Sequence, residues 1–349
     1  MRIKLVYLFA FGILCILNAP AMAVINGPYT VDADTMHLWH LDETTTPAVD
    51  QAHYTYTSSF TPTKDANQPM NVLFGTSPSN LATLGNASYT GFGTCVDTSN
   101  TVGNALTVIF PTTSNQPSLC ALTPANGTAD NVDHTFDNPT THAFTMEALV
   151  KISFDPTKNW FSPMEIISGE GDASDSSDRS WQFRIQPNSA AATTPWVLRF
   201  QKVSGFGSPG GSTANWNLDA NIPTTGLDAI VQGGWYHVAV TYNGSLTDTS
   251  AMKLYWTALD DTSAIQANQI GSGLPNGWLR EQDCDLAIGD EMRDFNDETE
   301  PFIGSIDEVR ISDIARGADQ MMIVPEPATA VMALLGVFGM GLLWLRKRR

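Results

Sequence analysis

Between Phe144 and Trp256 the chain keeps alternating apolar and polar residues with a period of two. In FTMEALVKI, Phe144, Met146, Ala148, Val150 and Ile152 fall on one side, and Thr145, Glu147, Leu149 and Lys151 on the other. WQFRIQ sets Trp181, Phe183 and Ile185 against Gln182, Arg184 and Gln186. WYHVAVTY sets Tyr236, Val238, Val240 and Tyr242 against Trp235, His237, Ala239 and Thr241. WVLRFQ, around Trp196, Leu198 and Phe200, and MKLYW, around Met252, Leu254 and Trp256, follow the same rule. A period of two belongs to a half-buried strand. Outside the two terminal segments no long stretch shows the 3.6-residue period of an amphipathic helix, and the connections are rich in Gly, Asn, Asp and Ser. Strands joined by turns, with no helices between them, predict an all-β antiparallel sandwich.

The terminal segments carry a different message. MRIKLVYLFAFGILCILNAPAMA has Arg2 and Lys4, an apolar stretch from Leu5 to Leu17, and Ala21-Met22-Ala23 as a small-x-small cleavage site. These are the three parts of a secretory signal, so residues 1–23 stand outside the fold and the mature chain is expected to be exported. At the other end, Val324-Pro325-Glu326-Pro327 precedes an uncharged run, Ala328 to Leu345, and the terminal RKRR. As a helix this run is about 27 Å long, enough for one hydrocarbon core, with the basic end on the cytoplasmic side. Pro325 and Pro327 keep the triplet itself out of a helix. A permanent tail anchor and a temporary handle both fit this pattern.

Charge narrows the partners. Of 18 Lys and Arg residues, two fall in the signal and four in the tail; of 36 Asp and Glu, only Glu326 falls in the tail. The segment between carries 12 cations against 35 acids, a net charge of −23. Such a surface repels nucleic acid and anionic membranes and suits calcium, cationic partners or neutral sugars; it also serves plain solubility outside the cell. Cys95, Cys120 and Cys284 remain after the signal, an odd number, with Cys95 and Cys120 the better placed to pair.

Six ordered motifs resemble the laminin-G-like, concanavalin A-like jelly rolls of bacterial surface proteins. They are DADTMHLWHLDE (Asp32–Glu43), VGNALTVIF with Gly103, Ala105 and Leu106, FTMEALVKI with Phe144, Thr145, Glu147 and Ala148, GGWYHVAVTYNG with Trp235, His237, Val238, Ala239 and Gly244, LAIGDE, and FIGSIDEVRIS with Gly304 to Ile311. The resemblance implies one jelly-roll domain over residues 24–316 with insertions near 44–103 and 107–141, then a linker at 317–323. Residues 324–349 resemble the PEP-CTERM sorting signal of Gram-negative, exopolysaccharide-producing bacteria. That implies an exosortase partner that recognises Val324, Pro325, Glu326 and Pro327 and removes the helix, leaving a surface or matrix protein that met the membrane only transiently.

Glucanases share this fold, and some carry Glu-x-Asp-x-x-Glu on one strand; that motif is missing, and Leu149 stands two residues after Glu147, where the Asp is needed. Asp307 and Glu308 are adjacent, so in a regular strand they face opposite ways. His37 and His40, three apart, make a poor metal pair, and His237 is expected to be a hydrogen-bonded structural residue. The expectation is therefore a non-enzyme that binds polysaccharide. Many jelly-roll lectins hold a structural calcium between first and last strands; the resemblance implies Asp307 as first ligand, with Asp42 or Asp34 beside it, the other reading being that these acids cap turns. Trp160, Trp216 and Trp278 fall in loops and are the candidates to stack on a sugar, unless they pack against those loops. A structural or adhesive protein and a divergent glycoside hydrolase or lyase remain the alternatives.

Overall fold

The computed structural model describes residues 29–41, 51–52, 140–157, 163–170, 179–187, 196–202, 215–259, 266–279, 285–289, 300 and 302–321, together with the backbone of short strands elsewhere. All regular structure among the described residues is β. The first strands are β1 (Ala23–Ile25), β2 (Thr35–Trp39), β3 (Tyr54–Tyr56), β4 (Pro62–Lys64), β5 (Asn71–Val72), β6 (Ala82–Ala87), β7 (Asn104–Val108) and β8 (Ala121–Leu122). The long ones follow: β9 (Phe144–Ile152), β10 (Met164–Glu170), β11 (Arg179–Pro187), β12 (Trp196–Lys202), β13 (Trp216–Asn221), β14 (Trp235–Tyr242) and β15 (Met252–Ala258). The chain closes with β16 (Gln269–Gly273), β17 (Asp285–Ile288), β18 (Gly304–Ser312) and β19 (Ile323–Pro325).

Two antiparallel sheets face each other. One runs β13-β12-β11-β10-β17-β8-β5; the other runs β16-β15-β14-β9-β18-β7-β6, with β2 also pairing to β18. Strands predicted from alternation form where the pattern places them, and their apolar sides meet in one core. Phe144, Met146, Val150, Phe183, Phe200, Val238, Leu254 and Trp256 all belong to it and are buried. Each such side chain contributes about 1.5–3 kcal/mol by leaving water, so this cluster is the main source of the fold's stability. Two of the buried indoles have a partner for their N–H: Trp196 Nε1 donates to the Pro156 carbonyl and Trp256 Nε1 to that of Asp228, both at 3.0 Å. The stretches 44–103 and 107–141 contribute β5 and β8 to the edge of the seven-stranded sheet and β6 to the edge of the eight-stranded one, while β3 and β4 pair as a separate two-stranded sheet.

Two close approaches fix the edges. A Cβ on Gly271 of β16 would stand 2.6 Å from the Ala220 Cβ of β13, so the last strands of the two sheets meet there and shut one side of the sandwich. Gly244, in the turn after β14, has φ +78, and a Cβ would fall 1.6 Å from the Thr141 carbonyl oxygen. Only glycine suits that position.

The outer face of the eight-stranded sheet is itself covered. Tyr29, Leu38, Ala52, Leu149 and Leu259 form a second apolar cluster under the N-terminal segment. Ala239, Tyr255, Ala267 and Met321 form a third under the chain that follows β18. That chain is tied down by Thr145, whose Oγ1 donates to the Ile314 carbonyl at 2.7 Å and accepts from Arg316 N at 2.9 Å.

Candidate functional site

Where the covering segments part, the outer face of β14 and β15 opens into a cleft of about 730 Å³. Its floor is Thr241 of β14 with Lys253 and Tyr255 of β15, the polar side of the alternation in WYHVAVTY and MKLYW. Asn243 and Ala251 close it at the β14–β15 turn, residues 266–269 and Asp228 form a wall, and residues 315–318 form the roof.

The frame of the cleft is pinned. Asp228 accepts from Ala258 N at 2.7 Å and from Asn268 Nδ2 at 2.9 Å. Asn243 accepts from Ser245 N and donates to Asp248, whose carboxyl the Ser250 N–H and then Asn243 hold below its ordinary value. In the roof, Arg316 donates to Ser312 Oγ and Asp32 Oδ1, each at 2.8 Å. Partial burial alone would raise Asp32, but Arg316 and Thr35 outweigh it and bring the carboxyl to about 2. Burial raises the Tyr255 hydroxyl, and a hydrogen bond with Thr241 opposes this in part. Against this fixed frame the side chains of Lys253, Gln266 and Gln269 have no hydrogen bond or ion pair among the described residues. The cleft therefore offers unengaged polar groups on a rigid surface.

Two other polar clusters engage their own groups. On the seven-stranded sheet Arg184 donates to Glu165 at 3.1 Å, Glu300 at 2.6 Å and Gln201 at 2.8 Å, and Arg199 pairs with Asp219 through two nitrogens. Beneath the N-terminal segment, Glu147 accepts from Tyr29 Oη at 2.5 Å, from Arg310 Nε at 2.8 Å and from His237 Nε2 at 3.1 Å. Burial pushes the Glu147 carboxyl up, but the Arg310 charge and the His237 and Tyr29 hydrogen bonds prevail and hold it at about 2. Arg310 also lies over the Tyr29 ring, 3.9 Å from its centroid. Burial, then Glu147, drives the Tyr29 hydroxyl well above its ordinary value. Glu308, at a bulge with φ +50, accepts from Tyr29 N and bonds His40 Nδ1, both at 2.8 Å.

The residues singled out from sequence are dispersed. Asp307 is buried, and its Oδ1 accepts from Glu308 N at 2.9 Å. Ser312 faces Thr35 across β18 and β2, so Asp34 lies beside Asp313, about 15–20 Å along the strand from Asp307. Asp34 and Asp307 thus cannot share an ion. Asp42 lies outside the described residues, and no group of three His, Cys, Asp or Glu among the described residues is placed to hold a metal. Between opening and closing strands it is the Arg316 guanidinium that bridges Asp32 and Ser312.

Trp216 is corrected from loop to strand: it opens β13, opposite Lys202, and packs against the core from a partly buried position, because Leu218 and Ala220 continue an alternating pattern behind it. Trp278 is in a loop but stacks on His142 at 3.9 Å and donates to the Gly244 carbonyl at 3.0 Å. Its ring is engaged by the protein. His237 is hydrogen-bonded and buried, and His37 stacks on Trp39 rather than joining His40. Trp160, the three cysteines, Ala21, Glu326, Pro327 and the apolar run 328–345 lie outside the described residues; Val324 and Pro325 lie in β19, which pairs with β1 so that Ala23 faces Pro325. No helix among the described residues is long and apolar enough to cross a membrane. Sequence reasoning passed over Lys253, Gln266 and Gln269. The first was legible as an outward position in MKLYW; the glutamines gain meaning only from the fold.

The sequence model of the concanavalin A-like lectin/glucanases superfamily matches residues 126–321. The chain belongs to this superfamily. No curated protein sequence matches it. Among solved structures it is similar to domain 4 of AbnA, a GH43 extracellular arabinanase from Geobacillus stearothermophilus in complex with arabinotriose; identity is 15%, 83% of this chain and 97% of that one are covered, and the TM-score is 0.39. The Ruminococcus gnavus IT-sialidase CBM40 bound to α2,6 sialyllactose is 15% identical, covering 52% of this chain and 82% of that one at a TM-score of 0.32. The botulinum neurotoxin type G receptor-binding domain is 8% identical, covering 82% of this chain and 50% of that one at 0.44. None of the three decides what this superfamily member binds.

Proposed function

We propose that this chain is an exported cell-surface or extracellular-matrix protein of a Gram-negative bacterium whose jelly roll binds polysaccharide without cleaving it, through the cleft over β14 and β15. The observation that carries this is the contrast within the cleft: Asp228, Asn243, Asn268 and Arg316 are fixed by neighbours, while Lys253, Gln266 and Gln269 are unengaged. A pre-formed polar surface of this kind binds at small ordering cost. The carboxyls favour a non-catalytic role. Among the described residues Glu165 and Glu300 are both engaged by the Arg184 guanidinium, and Glu147, held at about 2 by Arg310, His237 and Tyr29, cannot serve as the proton-bearing acid that glycoside hydrolysis needs.

Sorting by an exosortase-type enzyme at Val324–Pro327, after transient membrane anchoring through residues 328–345, completes the proposal and rests on the C-terminal motif. A structural calcium, if bound, would take Asp307 as its first ligand, the reading that the family resemblance implies. One observation favours the adhesive alternative: Leu227 and Val231, one and three residues from Asp228 in the chain, are 68% and 51% exposed, apolar side chains that a protein partner could cover.

The test is retention of the full-length chain on immobilised polysaccharides, with and without calcium, while new chain ends are assayed. Binding without cleavage, lost in Ala315→Trp, which fills the cleft from the roof, supports the reading. Release of reducing or unsaturated ends would overturn it, as would binding untouched by that variant.

A further inference from the structure

We propose that the cleft selects an anionic glycan, carboxylated or sulfated, with Lys253 as the group that pairs with its charge; this rests on the glycan-binding reading above. Among the described residues three charged side chains line the cleft: Asp228, Lys253 and Arg316. Both Asp228 oxygens already accept, from Ala258 N and Asn268 Nδ2. Arg316 is engaged by Asp32 and Ser312. The side chain of Lys253, on the floor between Thr241 and Ser272, has neither a hydrogen bond nor an ion pair among the described residues. The unengaged charge is therefore a donor.

Neutral sugars are bound by side chains that accept from hydroxyls as well as donate to them. Among the described lining residues the carboxylate, Asp228, has both oxygens already accepting from the protein, and the unengaged side chains are an ammonium with three donors and two carboxamides. The complement to that set is an acceptor-rich anion, and a charge-assisted hydrogen bond is about twice as strong as a neutral one. The described lining carries two cations to one acid in a chain whose acids outnumber its cations 36 to 18, so it is a cationic interruption of an acidic chain. Asp248 at the β14–β15 turn and Asp319 beyond the roof flank it, and Asp248 feels the Lys253 charge. An anion reaching the cleft is thus guided to Lys253 and repelled elsewhere.

The test titrates the full-length chain with three polymers of known charge: polygalacturonate, its methyl ester, and a sulfated dextran. Each is run at low and moderate salt, with wild type, Lys253→Gln and Ala315→Trp. The expected result is at least tenfold tighter binding of polygalacturonate or sulfated dextran than of the ester, weakened by salt. Lys253→Gln should bring the charged polymer down to the ester, and Ala315→Trp should abolish all binding. Preference between the two charged polymers identifies carboxylate or sulfate as the partner. Equal binding of ester and acid, with less than a twofold change in Lys253→Gln, overturns the anionic assignment while leaving the cleft as a glycan site. Binding that Ala315→Trp does not touch, or none to any polymer, removes both.

Discussion

Removing the charge of Glu147 should be among the most destructive single changes this fold can suffer. Glu147 is fully buried and accepts from three donors, Tyr29 Oη, Arg310 and His237 Nε2. In Glu147→Gln the amide keeps the shape but places an NH2 where a donor already points, and leaves Arg310 buried without its counter-charge. Breaking a buried pair from one side costs about 3–5 kcal/mol. The carboxyl, brought from 4.5 to about 2, gives a figure of similar order, about 3 kcal/mol at neutral pH. In a domain this large each kcal/mol moves the midpoint by about 2–4 °C, so a fall of about 10 °C is expected. Urea denaturation followed by tryptophan fluorescence, with a calorimetric scan beside it, measures both quantities. Replacing both partners, Glu147→Leu with Arg310→Met, should recover at least half of the loss, because no buried charge is then left alone. A loss below about 1 kcal/mol in Glu147→Gln would refute the idea that this cluster secures the N-terminal segment.

Three further outcomes follow from the same geometry. Because the folded-state carboxyl of Glu147 lies below its unfolded value, its stabilisation is complete above about pH 4.5 and is lost as pH falls towards 2; Asp32, only partly buried, adds a smaller screened share in the same window. A melting-temperature series from pH 7 to 2 should fall steeply below pH 4.5 in wild type and less so in Glu147→Gln. Gly244→Ala must abandon φ +78 and drive a methyl into the Thr141 carbonyl, at a cost of about 3 kcal/mol or more, readable in the same urea titration. Arg316→Met should cost only about 1–2 kcal/mol, since Asp32 is partly exposed, but should speed amide exchange across residues 313–321 by freeing the roof from Ser312 and Asp32.

The strands were legible because a sandwich strand with one side in the core must alternate, and Phe144 to Ile152 or Trp235 to Tyr242 do so without interruption. Trp216 was misplaced because Asn217, Asp219 and Asn221 give the segment a turn-like composition, although Leu218 and Ala220 keep the period. The covered outer face was hidden for another reason. Glu147 sits on the polar side of its strand, and only the return of Tyr29, 118 residues away in sequence, buries it. Glu308 breaks the alternation with a bulge that no local pattern announces. The cleft combines three outward strand positions, Thr241, Lys253 and Tyr255, which alternation does give, with a roof and wall from segments far apart in the chain, which it does not.

The most direct measurement is a crystal structure of the protein with a bound acidic oligosaccharide. The account predicts a sugar against the floor of the cleft, with its anionic group on Lys253 and its hydroxyls on Gln266 and Gln269. A sugar seated on the outer face of the seven-stranded sheet, beside Arg184 and Arg199, would contradict it.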